Sequence, residues 1–312
     1  MTILYIAIGV LAFLALSALI ISYITYYIIF KGGRYLTDPY KFLDKDGIAP
    51  YLEMTRRNID KMLSFPCEEV SVSAYDGALL VGSYYHVKDG GVLEIQFHGY
   101  RSMGIHDFSG GAVEAIEKGH NLLLVDQRAH GRSGGRCLSF GAHERHDVLS
   151  WVNYAIERFG SKVKILLLGI SMGAETVLLS SALPLPENVK GIIADCPCAS
   201  VEDIVYLVGS KQKIPMKLLM PSVRLGARLF GKFSTKDTDA RVAVKRARVP
   251  ILLIHGEADD FVPCYMSEEI KRENRAIIFE TFPGARHGMS YLSDTKRYNE
   301  ICDKFIDEVI KQ

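Results

Sequence analysis

The sequence predicts an α/β protein with a mainly parallel central sheet covered by helices on both faces, behind an apolar N-terminal helix. Three observations support this prediction. Continuous apolar runs such as LLLV and ILLL are typical of strands that are buried on both faces. These runs alternate with helical patterns along the chain. An apolar segment without charged side chains occupies nearly all of the first thirty residues.

The N-terminal segment is long and apolar enough to cross a membrane as a helix. Residues 3–30 carry no charged side chain, and as an α-helix they extend about 42 Å against a hydrocarbon core of about 30 Å. We interpret residues 1–30 as a transmembrane anchor. The alternative is a cleaved signal peptide, because residues 15–17 weakly resemble a cleavage site, but no basic region precedes the apolar run. Basic residues after the segment predict that the body of the protein is cytoplasmic. They are Lys31, Arg34, Lys41 and Lys45.

Residues 31–66 are predicted to form a linker and one helix, and residues 67–312 the main domain. Within that domain the alternating pattern predicts strands joined by helices, and the turn Tyr75-Asp76-Gly77 joins the first two strands as a hairpin. The predicted strands are 69–74, 79–87, 92–97, 121–125, 164–168, 191–194, 251–254 and 276–281. The predicted helices are 52–63, 110–118, 146–159, 174–182 and 296–310.

Composition excludes several function classes. The chain has 37 basic and 36 acidic residues, so its charge of +1 gives no electrostatic reason to expect nucleic acid as a partner. The six cysteines fit neither a zinc pattern nor a disulfide framework, which favours reduced thiols. The sequence has no P-loop, no G-x-G-x-x-G motif and no metal-binding motif, so neither a cofactor nor a metal is expected.

Reactive side chains follow three of the predicted strands. The predicted strand 164–168 is followed by Gly-Ile-Ser-Met-Gly, with Ser171 between Gly169 and Gly173. The predicted strands 251–254 and 276–281 are followed by Asp259 and His287, respectively. Ligands bind beyond the carboxyl ends of parallel strands. A sharp turn from strand to helix leaves no room for side chains beside the serine, which explains the flanking glycines. The order serine, acid, histidine makes this motif a strong signal.

Further motifs identify a family. With FHGY at 97–100, DQRAHGRS at 126–133 and HGEADDFVP at 255–263, the domain resembles the α/β-hydrolase superfamily. Within it, the chain is similar to membrane-anchored bacterial serine hydrolases of the prolyl-oligopeptidase-like and carboxylesterase-like kinds. The resemblance implies the α/β-hydrolase fold and a catalytic triad. Its members would be Ser171 as nucleophile, His287 as general base and Asp259 as the acid, with Asp260 as the rival acid.

The same resemblance implies an oxyanion hole formed by the backbone N–H groups of Met172 and Tyr100. It implies hydrolysis of a carboxylic ester, or of a thioester or amide, through an acyl-enzyme. The substrate would be a small or lipid-like acyl compound. Two alternatives stay open, a peptidase of the prolyl-oligopeptidase-like type and a hydrolase-fold scaffold without catalytic activity.

Residues 201–248 are predicted to form a helical cap. Arg224, Arg228 and Lys232 are four residues apart and are expected to form a stripe on one helix. This stripe is either an ordinary solvated face or a surface for anionic lipid or an anionic substrate. The basic residues in this region are Lys211, Lys213, Lys217, Arg224, Arg228, Lys232 and Lys236.

Other polar residues are expected to be structural. His98 and His255 are interpreted as residues that shape their loops. The pair His143 and His146 is interpreted as a polar helix start, because no third ligand is near in sequence to complete a metal site. Asp195 also follows a strand, but its separation from the HGEADDFVP motif favours a structural role.

Overall fold

The computed structural model describes residues 1–33, 38–41, 43 and 48–311. Arg34 and Lys45, two of the four basic residues on which the orientation prediction depends, lie outside the described residues. The cytoplasmic placement of the domain therefore stays a prediction.

Within the described residues, eight strands form one sheet in the order β1-β2-β4-β3-β5-β6-β7-β8. β1 and β2 pair antiparallel, β2 pairs antiparallel with β4, and all other neighbours are parallel. The sheet is therefore mainly parallel, as predicted. The strands are β1 Glu68–Ser73, β2 Leu79–Tyr85, β3 Leu93–Phe97, β4 Asn121–Asp126, β5 Ile165–Ile170, β6 Val189–Asp195, β7 Ile251–Gly256 and β8 Ile278–Phe282.

Helices cover both faces of the sheet. On β4, Leu122 and Leu124 belong to the same buried cluster as Phe108, whereas Leu123 belongs to the cluster around Trp151 on the opposite face. Successive strand residues thus face different helical layers, which explains the continuous apolar runs. The α-helices are α1 Thr2–Ile29, α2 Leu52–Ser64, α3 Gly104–Glu117, α4 Glu144–Phe159, α5 Met172–Ser180, α6 Val201–Lys211, α7 Met216–Gly226, α8 Ala240–Ala243, α9 Tyr265–Glu273, α10 Ser290–Ser293 and α11 Thr295–Ile310.

The predicted elements agree with the observed ones to within about two residues, with one exception. Helix α3 begins at Gly104 rather than at residue 110. Because glycine disfavours helix, Gly110 and Gly111 weaken the helical pattern in the middle of α3. Gly110 is an interior residue of α3, and a Cβ there would overlap the ring of Tyr291. Tertiary packing therefore overrides the local propensity.

Helix α1 is, of the residues described, the one helix long and apolar enough to cross a membrane. Most of it is exposed, but its last turns pack on the domain. Tyr26 and Phe30 are buried, and the Thr25 hydroxyl lies 3.3 Å from the carbonyl oxygen of Ser222 in α7. The backbone N–H of Leu138 donates a 2.7 Å hydrogen bond to the carbonyl oxygen of Phe30. The end of α1 is thus part of the domain core.

The segment between β6 and β7 contains α6, α7, a π-helical turn at Ala227–Gly231 and α8. The prediction of a basic stripe on one helix is wrong. Arg224 lies in α7, Arg228 lies in the π-helical turn, and Lys232 follows it with a left-handed φ of 60°. The wider π turn changes the angle between successive residues, so a spacing of four no longer keeps side chains on one face.

Candidate active site

Ser171 occupies the turn between β5 and α5, with φ 56° and ψ −117°. A non-glycine residue in this region of φ/ψ space is strained. The neighbours must be small for steric reasons. A Cβ at Gly169 would overlap the backbone of Gly173, and a Cβ at Gly173 would overlap the carbonyl oxygen of Phe97. The sequence Gly-x-Ser-x-Gly therefore follows from the close approach of this turn to β3.

Three strand ends bring Ser171, His287 and Asp259 into one hydrogen-bonded chain. His287 Nε2 lies 2.9 Å from Ser171 Oγ, and His287 Nδ1 lies 2.7 Å from Asp259 Oδ2. The carboxylate accepts the hydrogen of Nδ1, which leaves Nε2 to accept the serine hydroxyl. Asp260 is exposed and instead pairs with Arg286 at 2.9 Å. The structure thus has Asp259, and not Asp260, in contact with His287.

The environment of Asp259 favours its ionised form. Its Oδ1 accepts backbone hydrogen bonds from Phe261 at 2.9 Å and Val262 at 2.8 Å. Its Oδ2 also lies 3.3 Å from Nε2 of the buried His255. Burial acts to raise the pKa of Asp259, but the hydrogen bonds with His255 and His287 outweigh it and hold the pKa well below its usual value. The carboxylate can therefore stabilise a positive charge on His287.

Met172 and Tyr100, the two residues expected to supply the N–H groups of the oxyanion hole, are neighbours of Ser171. Met172 is the first residue of α5, so its N–H belongs to the positive end of the helix dipole. Tyr100 follows Gly99, where an added Cβ would lie 3.4 Å from the Cβ of Ser171. The two N–H groups stay the predicted donors to negative charge on an oxygen beside the serine.

The loop that carries Tyr100 is fixed by Asp107, a residue that sequence reasoning missed. Its Oδ2 accepts the N–H of Gly99 at 2.7 Å, and its Oδ1 accepts the Ser102 hydroxyl at 2.6 Å. His106 Nδ1 lies 2.9 Å from Oδ1. Burial acts to raise the pKa of Asp107, but the contact with His106 prevails and the pKa is lowered. No motif in the sequence signals this role, because Asp107 lies within α3.

Comparisons with known proteins agree with this fold. A family model described as alpha/beta hydrolase fold matches residues 97–212. The esterase Pf2001 of Pyrococcus furiosus superposes with a TM-score of 0.64 at 22% identity, over 80% of this chain and 93% of that one. The chain has the α/β-hydrolase fold. An esterase of Exiguobacterium antarcticum also superposes on this fold, with a TM-score of 0.56 at 18% identity, over 77% of this chain and 100% of that one. The fold predicted from the sequence is confirmed.

Two curated proteins are similar in sequence to part of this hydrolase-fold chain. The uncharacterized protein YqkD of Bacillus subtilis is 28% identical over 198 residues, which cover 62% of this chain and 64% of YqkD. The uncharacterized protein YfhR of Escherichia coli O157:H7 is 26% identical over 208 residues, covering 65% of this chain and 66% of YfhR. The chain thus spans about two thirds or slightly less of the length of the curated relatives it matches, and neither relative has an assigned activity.

Two cavities of the hydrolase domain meet at Ser171. The first, which we call the His287 cavity, has a volume of about 460 Å³ and is also lined by Ser102, His106 and Met289. The second, which we call the α1 cavity, has a volume of about 370 Å³ and reaches the end of α1. Both volumes are in the range of ligand pockets, about 300–1,000 Å³. The serine can therefore contact two differently shaped parts of one bound molecule.

The remaining polar residues have structural partners. His143 contacts the Tyr75 hydroxyl through Nδ1 at 2.6 Å and the carbonyl oxygen of Gly231 through Nε2 at 3.0 Å, so neither nitrogen faces a metal site. Asp195 is buried and accepts the Ser290 hydroxyl at 3.2 Å. Burial raises the pKa of Asp195 to about 6.

One group of side chains could in principle hold a metal ion. Ligand atoms of Cys196, Asp259 and His287 lie within 4.8 Å of one another. Metals bind the thiolate form of cysteine, but burial raises the pKa of the Cys196 thiol well above its usual value. Both nitrogens of His287 already contact Asp259 and Ser171. These side chains therefore suit proton transfer better than metal binding.

Proposed function

We propose that this protein is a membrane-anchored serine hydrolase that cleaves carboxylic esters through an acyl-enzyme. One observation carries the proposal. A strained serine at the strand-to-helix turn is hydrogen-bonded to His287, which is hydrogen-bonded in turn to a carboxylate held ionised. A serine hydroxyl is a poor nucleophile at neutral pH and needs such a base to act.

In the first half of the reaction, Ser171 Oγ attacks the ester carbonyl carbon and its proton moves to His287 Nε2. Asp259 stabilises the imidazolium that forms. Negative charge on the former carbonyl oxygen is stabilised by the N–H groups of Met172 and Tyr100. When the carbon–oxygen bond of the ester breaks, His287 returns the proton to the leaving alkoxide. The products are an alcohol and an acylated Ser171.

In the second half, a water molecule attacks the acyl carbonyl carbon while His287 accepts one of its protons. The bond to Ser171 Oγ breaks, and His287 gives the proton to that oxygen. The free serine and a carboxylic acid result, so each turnover consumes one ester and one water molecule.

Ester cleavage is favoured over the other reactions because the similar solved structures from Pyrococcus furiosus and Exiguobacterium antarcticum are both named esterases. The chemistry of the site would also permit thioesters and amides. The peptidase and the non-catalytic scaffold remain the alternatives that activity measurements must exclude.

The membrane is the proposed partner of α1 and of the basic residues in the segment between β6 and β7. Arg224 is bound to Glu202 at 2.6 Å. Lys217, Arg228 and Lys232 are exposed, and no ion pair involves them within the part of the chain described. We expect these three residues to contact anionic head groups, at about 1 kcal/mol each. Equal binding to neutral and anionic vesicles would contradict this part of the proposal.

The nucleophile is tested by labelling the full-length protein in detergent with a fluorophosphonate probe. We expect covalent labelling at Ser171 and its loss in Ser171→Ala. Ser180→Ala is the matched control, because Ser180 is a buried serine of α5 whose hydroxyl bonds only locally to the carbonyl oxygen of Val177. Labelling that persists in Ser171→Ala, or no labelling of the wild type, would contradict the proposal. Labelling without turnover of any ester would favour the scaffold.

A further inference from the structure

The α1 cavity has an almost entirely apolar lining that runs from Ser171 to the apolar N-terminal helix. Its wall includes Thr25, Ile28 and Ile29 of α1, Val208 of α6 and Leu219 of α7. The cavity is therefore shaped for a hydrocarbon chain, and one of its walls belongs to the segment that we propose to cross the membrane.

Tyrosines mark where the membrane surfaces would cross α1. Tyr5 lies near one end, and Tyr23 and Tyr27 near the other, and all three are exposed. Tyrosine is enriched at both interfaces of a bilayer. Tyr5 and Tyr23 are separated by about 27 Å of helix, close to the thickness of the hydrocarbon core, about 30 Å. The interface therefore falls near Tyr23 and Tyr27, at the level where Thr25 and Ile28 line the cavity.

Some of the apolar residues that line the α1 cavity are also exposed on the surface of the protein. Ile28 is 62% exposed, Ile214 37% and Phe261 46%, and all three line the cavity. Leu218, the neighbour in sequence of the cavity-lining Leu219, is 78% exposed. A contiguous group of exposed apolar residues marks an interaction surface. Since this group adjoins α1 at the level of the interface, the surface it fits is the bilayer.

Helix α7 is held closely against α1. A Cβ at Gly226 would overlap the carbonyl oxygen of Ser22, so glycine permits the contact. The Thr25 hydroxyl also lies 3.3 Å from the carbonyl oxygen of Ser222. The wall of the α1 cavity on this side is formed by α1, by α7 and by Ile214 between α6 and α7.

The position of His287 decides which part of an ester each cavity would hold. His287 must protonate the leaving alcohol, and it lines the His287 cavity together with the polar Ser102 and His106. The α1 cavity is lined by Ser171 and Met172, and its lining does not include His287. The alcohol therefore belongs in the His287 cavity and the acyl chain in the α1 cavity.

The geometry points to a long-chain ester of the membrane itself as the substrate. We infer that its acyl chain enters the α1 cavity directly from the bilayer, between Ile28 of α1 and Ile214 and Leu219 near the start of α7. This inference rests on the proposed hydrolase function and names the substrate class of the same site. The covalent steps are those given above, with a fatty acid and a lipid alcohol as products.

The first experiment fills the cavity from two sides in the full-length protein. Ile28→Trp and Val208→Trp place bulk on α1 and α6, respectively. We expect the ratio of kcat/KM for long-chain over short-chain p-nitrophenyl esters to fall at least about tenfold in both, since even one methylene in an apolar pocket can be worth that much. Ile24→Trp is the control, because Ile24 is exposed on the same helix and does not line the cavity. An unchanged ratio in both cavity variants would overturn the inference.

The second experiment does not depend on turnover. Full-length Ser171→Ala is reconstituted in vesicles that contain a phospholipid with a diazirine on its acyl chain. After illumination, we expect cross-links to residues 204–219 as well as to α1, and fewer of them in the double variant with Val208→Trp. Cross-links confined to α1 would overturn entry from the bilayer. Failure of the wild-type protein to be labelled by the fluorophosphonate probe would instead overturn the hydrolase function. The two failures are therefore distinguishable.

Discussion

The hydroxyl of Tyr100 donates a 2.8 Å hydrogen bond to the carbonyl oxygen of Ile29. Tyr100 carries one of the two N–H groups proposed for the oxyanion hole, whereas Ile29 is the last residue of α1. The ring of Tyr100 also stacks on Phe140, which in turn contacts Phe30. The apolar helix and the proposed catalytic loop are thus joined through one side chain.

Tyr100→Phe removes this hydrogen bond and keeps the backbone N–H. Because a hydrogen bond contributes about 0.5–1.5 kcal/mol, we expect kcat on p-nitrophenyl butyrate to fall by about two- to tenfold. Tyr84→Phe is the control, since its hydroxyl contacts His86 at 3.0 Å on another part of the sheet. If the two variants lower kcat equally, the bond to α1 does not position the loop.

Asp259→Asn separates the two candidate acids. We expect kcat to fall about 10⁴-fold, because asparagine cannot hold His287 in the required tautomer or stabilise its positive charge. Asp260→Asn loses only an exposed ion pair with Arg286, so we expect kcat within about twofold of the wild type. Steady-state kinetics on one short ester measure both. A larger loss in Asp260→Asn would reverse the assignment.

Asp107→Asn tests the support of the oxyanion loop. The substitution removes the charge that strengthens the hydrogen bonds from Gly99 and Ser102. We expect kcat to fall about tenfold with KM nearly unchanged, because the loss affects the transition state. Asp126→Asn is the control, as Asp126 binds Arg132 at 2.8 Å and lines neither cavity. A rise in KM alone would indicate a role in substrate binding.

Asp195 predicts a dependence of stability on pH. Its pKa in the folded protein is raised to about 6 by burial, above the ordinary value of 3.8. Between these values the folded state holds a proton that the unfolded state has lost, so the contribution of Asp195 to stability falls as the pH rises from about 4 to 6. Above pH 6 the full penalty of the buried charge is present.

Asp195→Asn removes that penalty. We expect the variant to be more stable than the wild type at pH 8, on the order of 2 to 3 kcal/mol, and nearly equal to it at pH 4. Thermal unfolding followed by circular dichroism in detergent at both pH values measures the difference. If Asp195→Asn is more stable than the wild type by the same amount at both pH values, the charge of Asp195 is not the cause of the difference in stability.

The sequence was sufficient to predict the sheet and to find Ser171, Asp259 and His287 as candidates. Each follows a predicted strand, and parallel strands bring their carboxyl ends to one edge. The tight turn at Ser171 can also be recognised in the sequence, because a side chain at position 169 or 173 would have no room and both positions are glycine.

Other features left no such trace. The contact between Thr25 and Ser222 joins residues 197 positions apart, and a single sequence does not reveal pairs at that distance. In the sequence, Asp107 is not distinguished from other acidic residues of a helix. Its role depends on the fold, which places the N–H of Gly99 against its carboxylate. The π turn after Gly226 made the prediction of a basic stripe wrong, because that prediction assumed an α-helical spacing that ends there.

The complete burial of Phe30 has a kinetic consequence. A flexible tether would let the domain tumble, whereas the proposed anchor, a helix fixed in the core, would give the domain one orientation relative to the membrane. Under the proposed function, with the ester in the bilayer, we expect encounters with substrate to take place in two dimensions and to depend on the number of ester molecules per unit area. Diluting a vesicle suspension with buffer should leave the rate per protein unchanged, whereas diluting the ester with inert lipid should lower it.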